Sequence, residues 1–402
     1  MQTVQGSKGP KVQKLRAAFA AVLVVAAVIA LGLSARALDQ AAAKNELVTA
    51  PRFEVDPMWP KPLPNNWVLG QAIGLTVDAR DHVWMVHRVD SLTVNEVSQQ
   101  QNPPIGSCCK AAPPVLEFDP EGNLLRSWGG PGEGYEWPNS NHGLFVDHKG
   151  IVWMGGNVGT DRQILKFTQD GKFIAQYGKA GQTLSSNDTE NFGRPAKIFV
   201  DAKFNEAYIA DGYGNKRVVV LDADTGKFKR YWGAYGNKPT DENFGTYNPD
   251  APLIQQFRSP VHCADLSNDG LVYVCDRPNN RLQVFTREGK FVKETQIAKR
   301  TGGDGSIWDV AFSKDAAQKY MYIADGKNEH IYVTLRDTLE VLTTFGDGGR
   351  QPGQFFAVHS IATDSKGNIY TTETYHGRRL QKFVYKGIGQ VPRDQGVVWP
   401  KK

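Results

Sequence analysis

A motif of short apolar strands, repeated six times along the chain, constrains its fold more than any other feature of the sequence. The clearest copy is Ser259–Phe285, SPVHCADLSNDGLVYVCDRPNNRLQVF. Val261–Leu266, Leu271–Cys275 and Leu282–Phe285 are runs of four to six residues rich in Val, Leu and Tyr. Ser267–Gly270 and an Arg-Pro-Asn-Asn loop separate them, and this pattern predicts antiparallel strands joined by turns. The second strand of each copy carries an aromatic: Trp84, Trp153, Tyr208, Tyr273, Tyr322 and Tyr370. Three residues further stand His87, Gly156, Asp211, Asp276, Asp325 and Glu373. Third strands end in Phe118, Phe167, Leu221, Phe285 and Phe383, with Thr334 breaking the column. Asp/Gly turns such as Asp119–Gly122 then lead to a fourth strand.

A chain of 402 residues would ordinarily suggest two or three domains, but the repeat overrides that expectation. Six units of four strands, spaced by roughly 40 residues or somewhat more, predict an all-β six-bladed β-propeller over residues 52–390. The last unit lacks a fourth strand after Phe383, and Arg52–Trp59 (RFEVDPMW) is expected to supply it. Closing the ring this way removes the exposed sheet edges of an open array. Residues 38–51 read as a flexible tether and 391–402 as a C-terminal tail. The wording of the repeats resembles NHL-type repeats.

The first 37 residues hold five basic residues and no acid, with an apolar run at Ala17–Leu33 and an A-x-A site at Ala35–Ala37. This is the pattern of a secretory leader, either cleaved or retained as a membrane anchor. The chain is therefore expected to be exported, periplasmic or secreted, meeting a membrane only through this segment. The remainder carries 42 residues of each charge sign, so the net +5 belongs to the leader and nothing points to a nucleic acid partner. Four cysteines suit an oxidising compartment. Cys263 and Cys275 flank one turn and read either as a cross-strand disulfide or as two buried thiols. Cys108–Cys109 is a vicinal pair whose pairing the sequence leaves open.

Antiparallel blades put the turns between first and second strands, and between third and fourth, on one face. The other face receives all the long connections: Val89–Pro114, Pro131–Asn141, Lys179–Arg194, Ala234–Pro260 and Gly346–Phe356. Loop elaboration confined to one face marks it as the working face, and Val89–Pro114 is long enough to be a lid.

Five residues before the Asp or Ser that ends each first strand stand Ile73, His142, Ala196, His262, Trp308 and His359. First strands line the channel of a propeller, so the histidines of blades 2, 4 and 6 are expected roughly 120° apart at one height. Three imidazoles with an open fourth position are a catalytic zinc arrangement, and they also suit another divalent transition metal. A single such histidine would more often be a satisfied polar residue; three in alternate blades, out of eight in the chain, argue for a metal. Arg88, Tyr213 and Arg277 follow second strands and overhang the same mouth. The arginines can clamp a carboxylate, and a phenol beside a metal can act as a base.

With these residues in view, the sequence resembles the lyase domain of the peptide-amidating enzyme, peptidyl-α-hydroxyglycine α-amidating lyase. Val-His-Arg88 resembles the family's first arginine motif, and Cys-Asp-Arg277 its second. His142-Gly-Leu, Val-His262-Cys and Val-His359-Ser fall where its zinc histidines fall, and Ala-Asp-Gly-Tyr213 resembles its tyrosine loop. The resemblance implies that Tyr213 removes a hydroxyl proton as a C–N bond breaks, giving an amide and glyoxylate. It implies that the metal and Arg88 orient hydroxyl and carboxylate, and that Arg277 holds the carboxylate or the tyrosinate. It also implies calcium on the carbonyls of Leu75 and Leu144. The chain departs from the family at Gly214, Ala357 and Ser360, where the family has Cys, Met and a calcium-binding Asp.

The leading expectation is thus a metal-dependent lyase acting on a small-molecule or peptide substrate that bears a carboxylate. The alternative is a non-catalytic propeller that binds a protein or small ligand through its loop face. A calcium-dependent lactonase or esterase ranks last, because the six strand-head positions carry neither carboxylate nor Asn.

Overall fold

The computed structural model describes residues 46–182 and 185–400. Six four-stranded antiparallel sheets form a closed ring of blades. Blade 1 comprises Gln71–Val77, Val83–Arg88, Val115–Phe118 and Leu124–Trp128, and blade 2 begins at Asn141–Val146. Blades 3, 4 and 5 begin at Lys197–Asp201, Val261–Leu266 and Asp309–Phe312. Blade 6 contains Val358–Thr363, Ile369–Glu373 and Leu380–Pro392, and its outer strand is Leu47–Asp56. The expected leader at residues 1–37 lies outside the described residues. Among the described residues no helix is long and apolar enough to cross a membrane.

Blades stack face to face, so inner strands are buried on both sides and read as nearly continuous apolar runs rather than alternating ones. Glu206–Asp211 and Tyr320–Asp325 are buried at every position, whereas the outer strands Leu124–Trp128 and Phe173–Tyr177 are half-exposed. The second-strand aromatics fill the gaps between blades. Tyr208 of blade 3, for example, belongs to one cluster with Val272, Val274 and Phe285 of blade 4. Each such side chain contributes about 1.5–3 kcal/mol through burial. Thr334, the break in the third-strand column, is buried and donates its hydroxyl to the Met321 carbonyl (2.8 Å).

Ring closure follows the expected pairing, with Val55 opposite Phe383 and Phe53 opposite Tyr385. The closing strand begins at Leu47, five residues earlier than the sequence suggested, so residues 47–51 are strand rather than tether. Pro51 hid this extension, but it sits at a register shift on an edge strand, where a missing N–H is tolerated. The expected tail is also tied down: Val391 and Val398 are buried, and the Val398 carbonyl accepts the Val55 N–H at 2.8 Å. Cys263 and Cys275 lie directly opposite each other and are disulfide-bonded, and Cys108 is bonded to Cys109.

The connection Val89–Pro114 is anchored at both ends. Lys110–Ala111 pairs in parallel with Trp67–Val68, and Arg378 of blade 6 donates to the Ser91 carbonyl (2.8 Å) and pairs with Glu96.

Candidate metal centre

The three strand-head histidines meet on the axis. Their ring centroids lie 4.8–5.2 Å apart, and their candidate ligand nitrogens all fall within 4.8 Å of one another. Their exposures are 1%, 3% and 3%. Each histidine sits within a register shift of its own first strand: between Asn141 and Leu144, between Val261 and Cys263, and between Val358 and Ile361. A bulge leaves its residue unpaired and re-aims the side chain, here toward the axis.

Neighbouring blades fix the ring orientation. Nδ1–H of His142 donates to the Ala196 carbonyl (2.6 Å), and that of His262 to the Trp308 carbonyl (2.5 Å). His359 interacts with the backbone of Ile73, and its Nδ1 lies 3.2 Å from Ser360 Oγ. Each histidine therefore turns to the strand-head residue of the next blade, so the six heads alternate between imidazole and carbonyl. This leaves Nε2 of His142 and His262 as unprotonated, ligand-competent nitrogens. Burial, and then the charge of Arg88, holds His142 well below the ordinary imidazole range. Burial and then Arg277 does the same for His262, and burial, His142 and Arg88 for His359. Three neutral, pre-oriented imidazoles fit zinc or a similar divalent transition metal.

Tyr213 lies over this ring. Its phenol oxygen is 3.0 Å from Nε2 of His142 and 3.1 Å from Nε2 of His262, and it accepts a hydrogen bond from Arg277 (3.3 Å). The loop reaches this position because Gly212 has no side chain: a Cβ there would lie 1.9 Å from the Val261 carbonyl oxygen. Arg277 is buried, stacks over Trp308 (4.5 Å to the ring centroid) and leaves its Nε–H without a partner among the described residues. An unpaired buried guanidinium N–H beside three imidazoles is a ready contact for an anionic ligand. Arg88 is held by the Asn141 carbonyl (3.1 Å), Gln71 (2.8 Å) and Asn157 (2.9 Å). The structure thus brings His142, His262, His359, Tyr213, Arg88 and Arg277 into one mouth.

Leu75 and Leu144 also lie on the axis, but their surroundings do not fit calcium. They line a 10 Å³ cavity beneath the imidazoles together with Lys197, Asp309 and Ser360. The Lys197 ammonium bridges Asp309 of blade 5 (2.5 Å) and Asp265 of blade 4 (2.9 Å). Burial works against its charge, but the two carboxylates overcome this and hold its pKa above the ordinary lysine range. Burial likewise pushes Asp265 up to about 7 against the pull of Lys197. A fixed cation already lies in the wall of this cavity, and a divalent ion beside it would be repelled. These carboxylates also show that the channel is not free of acids, although the six strand heads are. The remaining acidic cluster, Asp78 with His82 and Glu117, is engaged by Arg80 and Arg126.

Sequence reading missed Tyr375, which lies two residues past Glu373 just as Tyr213 lies two past Asp211. Its ring packs near Trp308 (6.4 Å), and its hydroxyl donates to Asp304 (3.3 Å), which also faces Arg277 (3.5 Å).

An NHL repeat profile matches residues 261–285. Peptidyl-glycine alpha-amidating monooxygenase B of Xenopus laevis is 27% identical over 347 residues, covering 82% of this chain and 35% of the relative. NHL repeat-containing protein 3 of Mus musculus is 26% identical, covering 83% of this chain and 84% of the relative. The probable peptidyl-alpha-hydroxyglycine alpha-amidating lyase pgal-1 of Caenorhabditis elegans is 26% identical, covering 60% and 63%. The chain spans only 35% of the length of the Xenopus relative. A solved structure from Bacteroides thetaiotaomicron, of unknown function, shares the fold at TM-score 0.53 and 13% identity, covering 85% of this chain and 77% of that one. The chain is a six-bladed β-propeller carrying an NHL repeat, similar in sequence to proteins named for peptidylglycine α-amidation, for an amidating lyase and for NHL repeats.

Proposed function

We propose that the protein is an exported, metal-dependent lyase that cleaves the C–N bond of an α-hydroxyglycine-type carbinolamide, releasing an amide and glyoxylate. The observation that carries this reading is the phenol oxygen of Tyr213, held between two imidazole Nε2 atoms and a buried guanidinium. His142, His262 and His359 would hold the metal, which when bound supplies a Lewis acid toward the substrate oxygen. Tyr213 relays the proton: its oxygen takes the carbinol hydroxyl proton as its own phenol proton passes to the departing amide nitrogen. The C–N bonding pair leaves with nitrogen, and the C–O bond becomes a carbonyl. Arg277, through its unpaired Nε–H, and Arg88 hold the substrate carboxylate and so fix which bond lies against the phenol.

A second reading is a propeller that binds a protein or small ligand through its loop face without catalysis; the name of NHL repeat-containing protein 3, similar along most of both chains, specifies no reaction. Metal analysis together with an assay for glyoxylate from N-benzoyl-α-hydroxyglycine separates the two. Bound transition metal and glyoxylate release establish the lyase. A protein that takes up no zinc and releases no glyoxylate is the binding propeller.

A further inference from the structure

Two cavities open beside the imidazole ring on the loop face, and their chemistry differs. The one at the Arg277 end measures 300 Å³ and sets the charges of Lys216, Arg258 and Asp304 beside Phe244 and Tyr247. The one at the Arg88 end, between blades 1 and 2, measures 780 Å³ and is walled by Trp67, Trp137, Pro113 and Pro114. That size lies within the ordinary range for a small-molecule site. It reaches the ring through Arg88 and Asn141, the residue just before His142.

The aromatic walls are fixed in place. Gly129, at φ +112°, lets the Trp137 indole lie against the backbone, and a Cβ there would come within 2.8 Å of the ring. Trp67 is held by the short parallel pairing of Trp67–Val68 with Lys110–Ala111. Between these walls and the ring stands a buried acceptor without a partner. Asn141 donates its side-chain N–H to the His87 carbonyl (3.1 Å), and its Oδ1 has no hydrogen-bond partner among the described residues. A buried polar atom left unpaired in this way is costly unless a ligand satisfies it.

We propose that this cavity is the acyl subsite. It receives the N-acyl group of the substrate, prefers a flat aromatic or bulky apolar acyl group to a small one, and takes the substrate amide N–H on Asn141 Oδ1. The proposal rests on the lyase reading for the orientation of the substrate. The carboxylate goes to the arginines and the hydroxyl to Tyr213. The cavity below, with Lys197 in its wall, measures only 10 Å³, and the opposite one is less than half the size and holds three charged side chains besides Arg277, so a bulky apolar acyl group turns toward the tryptophans.

The test is calorimetric binding of N-benzoylglycine and N-acetylglycine to the zinc-loaded protein. Both probes keep the carboxylate and amide but lack the hydroxyl that reacts. N-Benzoylglycine is expected to bind about tenfold or more tightly. Trp67→Ala and Trp137→Ala should each erode that preference, weakening N-benzoylglycine much more than N-acetylglycine, while an unchanged zinc content reports an intact fold. Equal affinities for the two probes, or a preference that survives in both variants, overturns the subsite. Turnover of N-benzoyl-α-hydroxyglycine is read separately. Selective binding without turnover keeps the subsite and removes the lyase reading; turnover without selectivity does the reverse.

Discussion

The hydroxyl of Tyr213 stands 3.0 Å from Nε2 of His142, on the side of the imidazole that faces the axis. Nδ1 of the same ring is committed to the Ala196 carbonyl, so Nε2 offers a lone pair and the phenol is its donor. The residue proposed to relay the substrate's proton and a histidine proposed to hold the metal are thus in hydrogen-bond contact before any ligand arrives. Replacing Tyr213 by Phe removes only the oxygen. Glyoxylate release should fall by about a hundred- to ten-thousand-fold, the usual range for a general base. Zinc content should not change. Loss of metal together with activity would assign Tyr213 to metal retention rather than proton transfer.

The imidazole ring predicts its own stoichiometry. The protein should carry about one zinc-like ion per chain, and His142→Ala, His262→Ala and His359→Ala should each lose it. Binding only to the folded state raises stability, by about 4 kcal/mol when free zinc exceeds its dissociation constant a thousandfold. Urea unfolding with and without zinc should show that increment in the parent chain and lack it in all three variants. Equal zinc-induced stabilisation in the variants would place the metal elsewhere.

How much of this was legible in the sequence depends on how local each signal is. His142, His262 and His359 could be aligned because each stands a fixed five residues before the Asp or Ser that ends its strand. The bulges that turn them inward have no sequence signature, and they appear only as register shifts against the second strands. The acidic column at second-strand ends was readable, and so is its use: Asp211 accepts the Gly193 N–H and Asp276 that of Arg258. Blade 2 breaks the column with Gly156, and Asp161 from the next loop fills the space where a Cβ would stand, accepting the Asn139 N–H. The Lys197 cluster was not readable. Its partners come from two other blades, Asp309 being 112 residues away, and no local pattern links them. The unpaired Nε–H of Arg277 was likewise hidden, because it depends on how the side chain lies over Trp308.

Lys197 provides a test that does not involve the metal ring. Lys197→Met leaves Asp265 and Asp309 buried without their cation, and removing one partner of a buried ion pair typically costs about 3–5 kcal/mol. Adding Asp309→Asn to that variant should recover part of the loss, because fewer buried charges then remain uncompensated. Urea unfolding of the single and double variants measures both effects. The same cluster predicts indifference to calcium. Neither a calcium chelator nor added calcium should move the unfolding midpoint of the parent chain, and a clear upward shift with calcium would mean that Lys197 yields its place.

His87 sets an acid limit on stability. It occupies the column held by acids in later blades, but as a neutral ring. Its Nδ1 accepts the Gly70 N–H (3.1 Å), and its Nε2–H donates to the Pro113 carbonyl (3.1 Å). Burial holds its pKa down to about 4, against an ordinary value of 6.5. In the unfolded chain the imidazole binds a proton as pH falls through 6.5, while in the folded chain it stays neutral until about 4. The unfolded state therefore gains protons first. The contribution of His87 is fully present above 6.5 and declines as pH drops toward 4, by about 2 kcal/mol at pH 5. His87→Gln keeps an acceptor for Gly70 and a donor for Pro113 without a titrating group. The axial histidines are also depressed, so the comparison uses the difference between parent and variant in metal-free protein. That difference should shift in favour of the variant by about 2 kcal/mol between pH 7 and pH 5. A constant difference across that interval would mean that His87 takes up its proton in the folded chain as readily as in the unfolded one, so that burial does not hold it neutral.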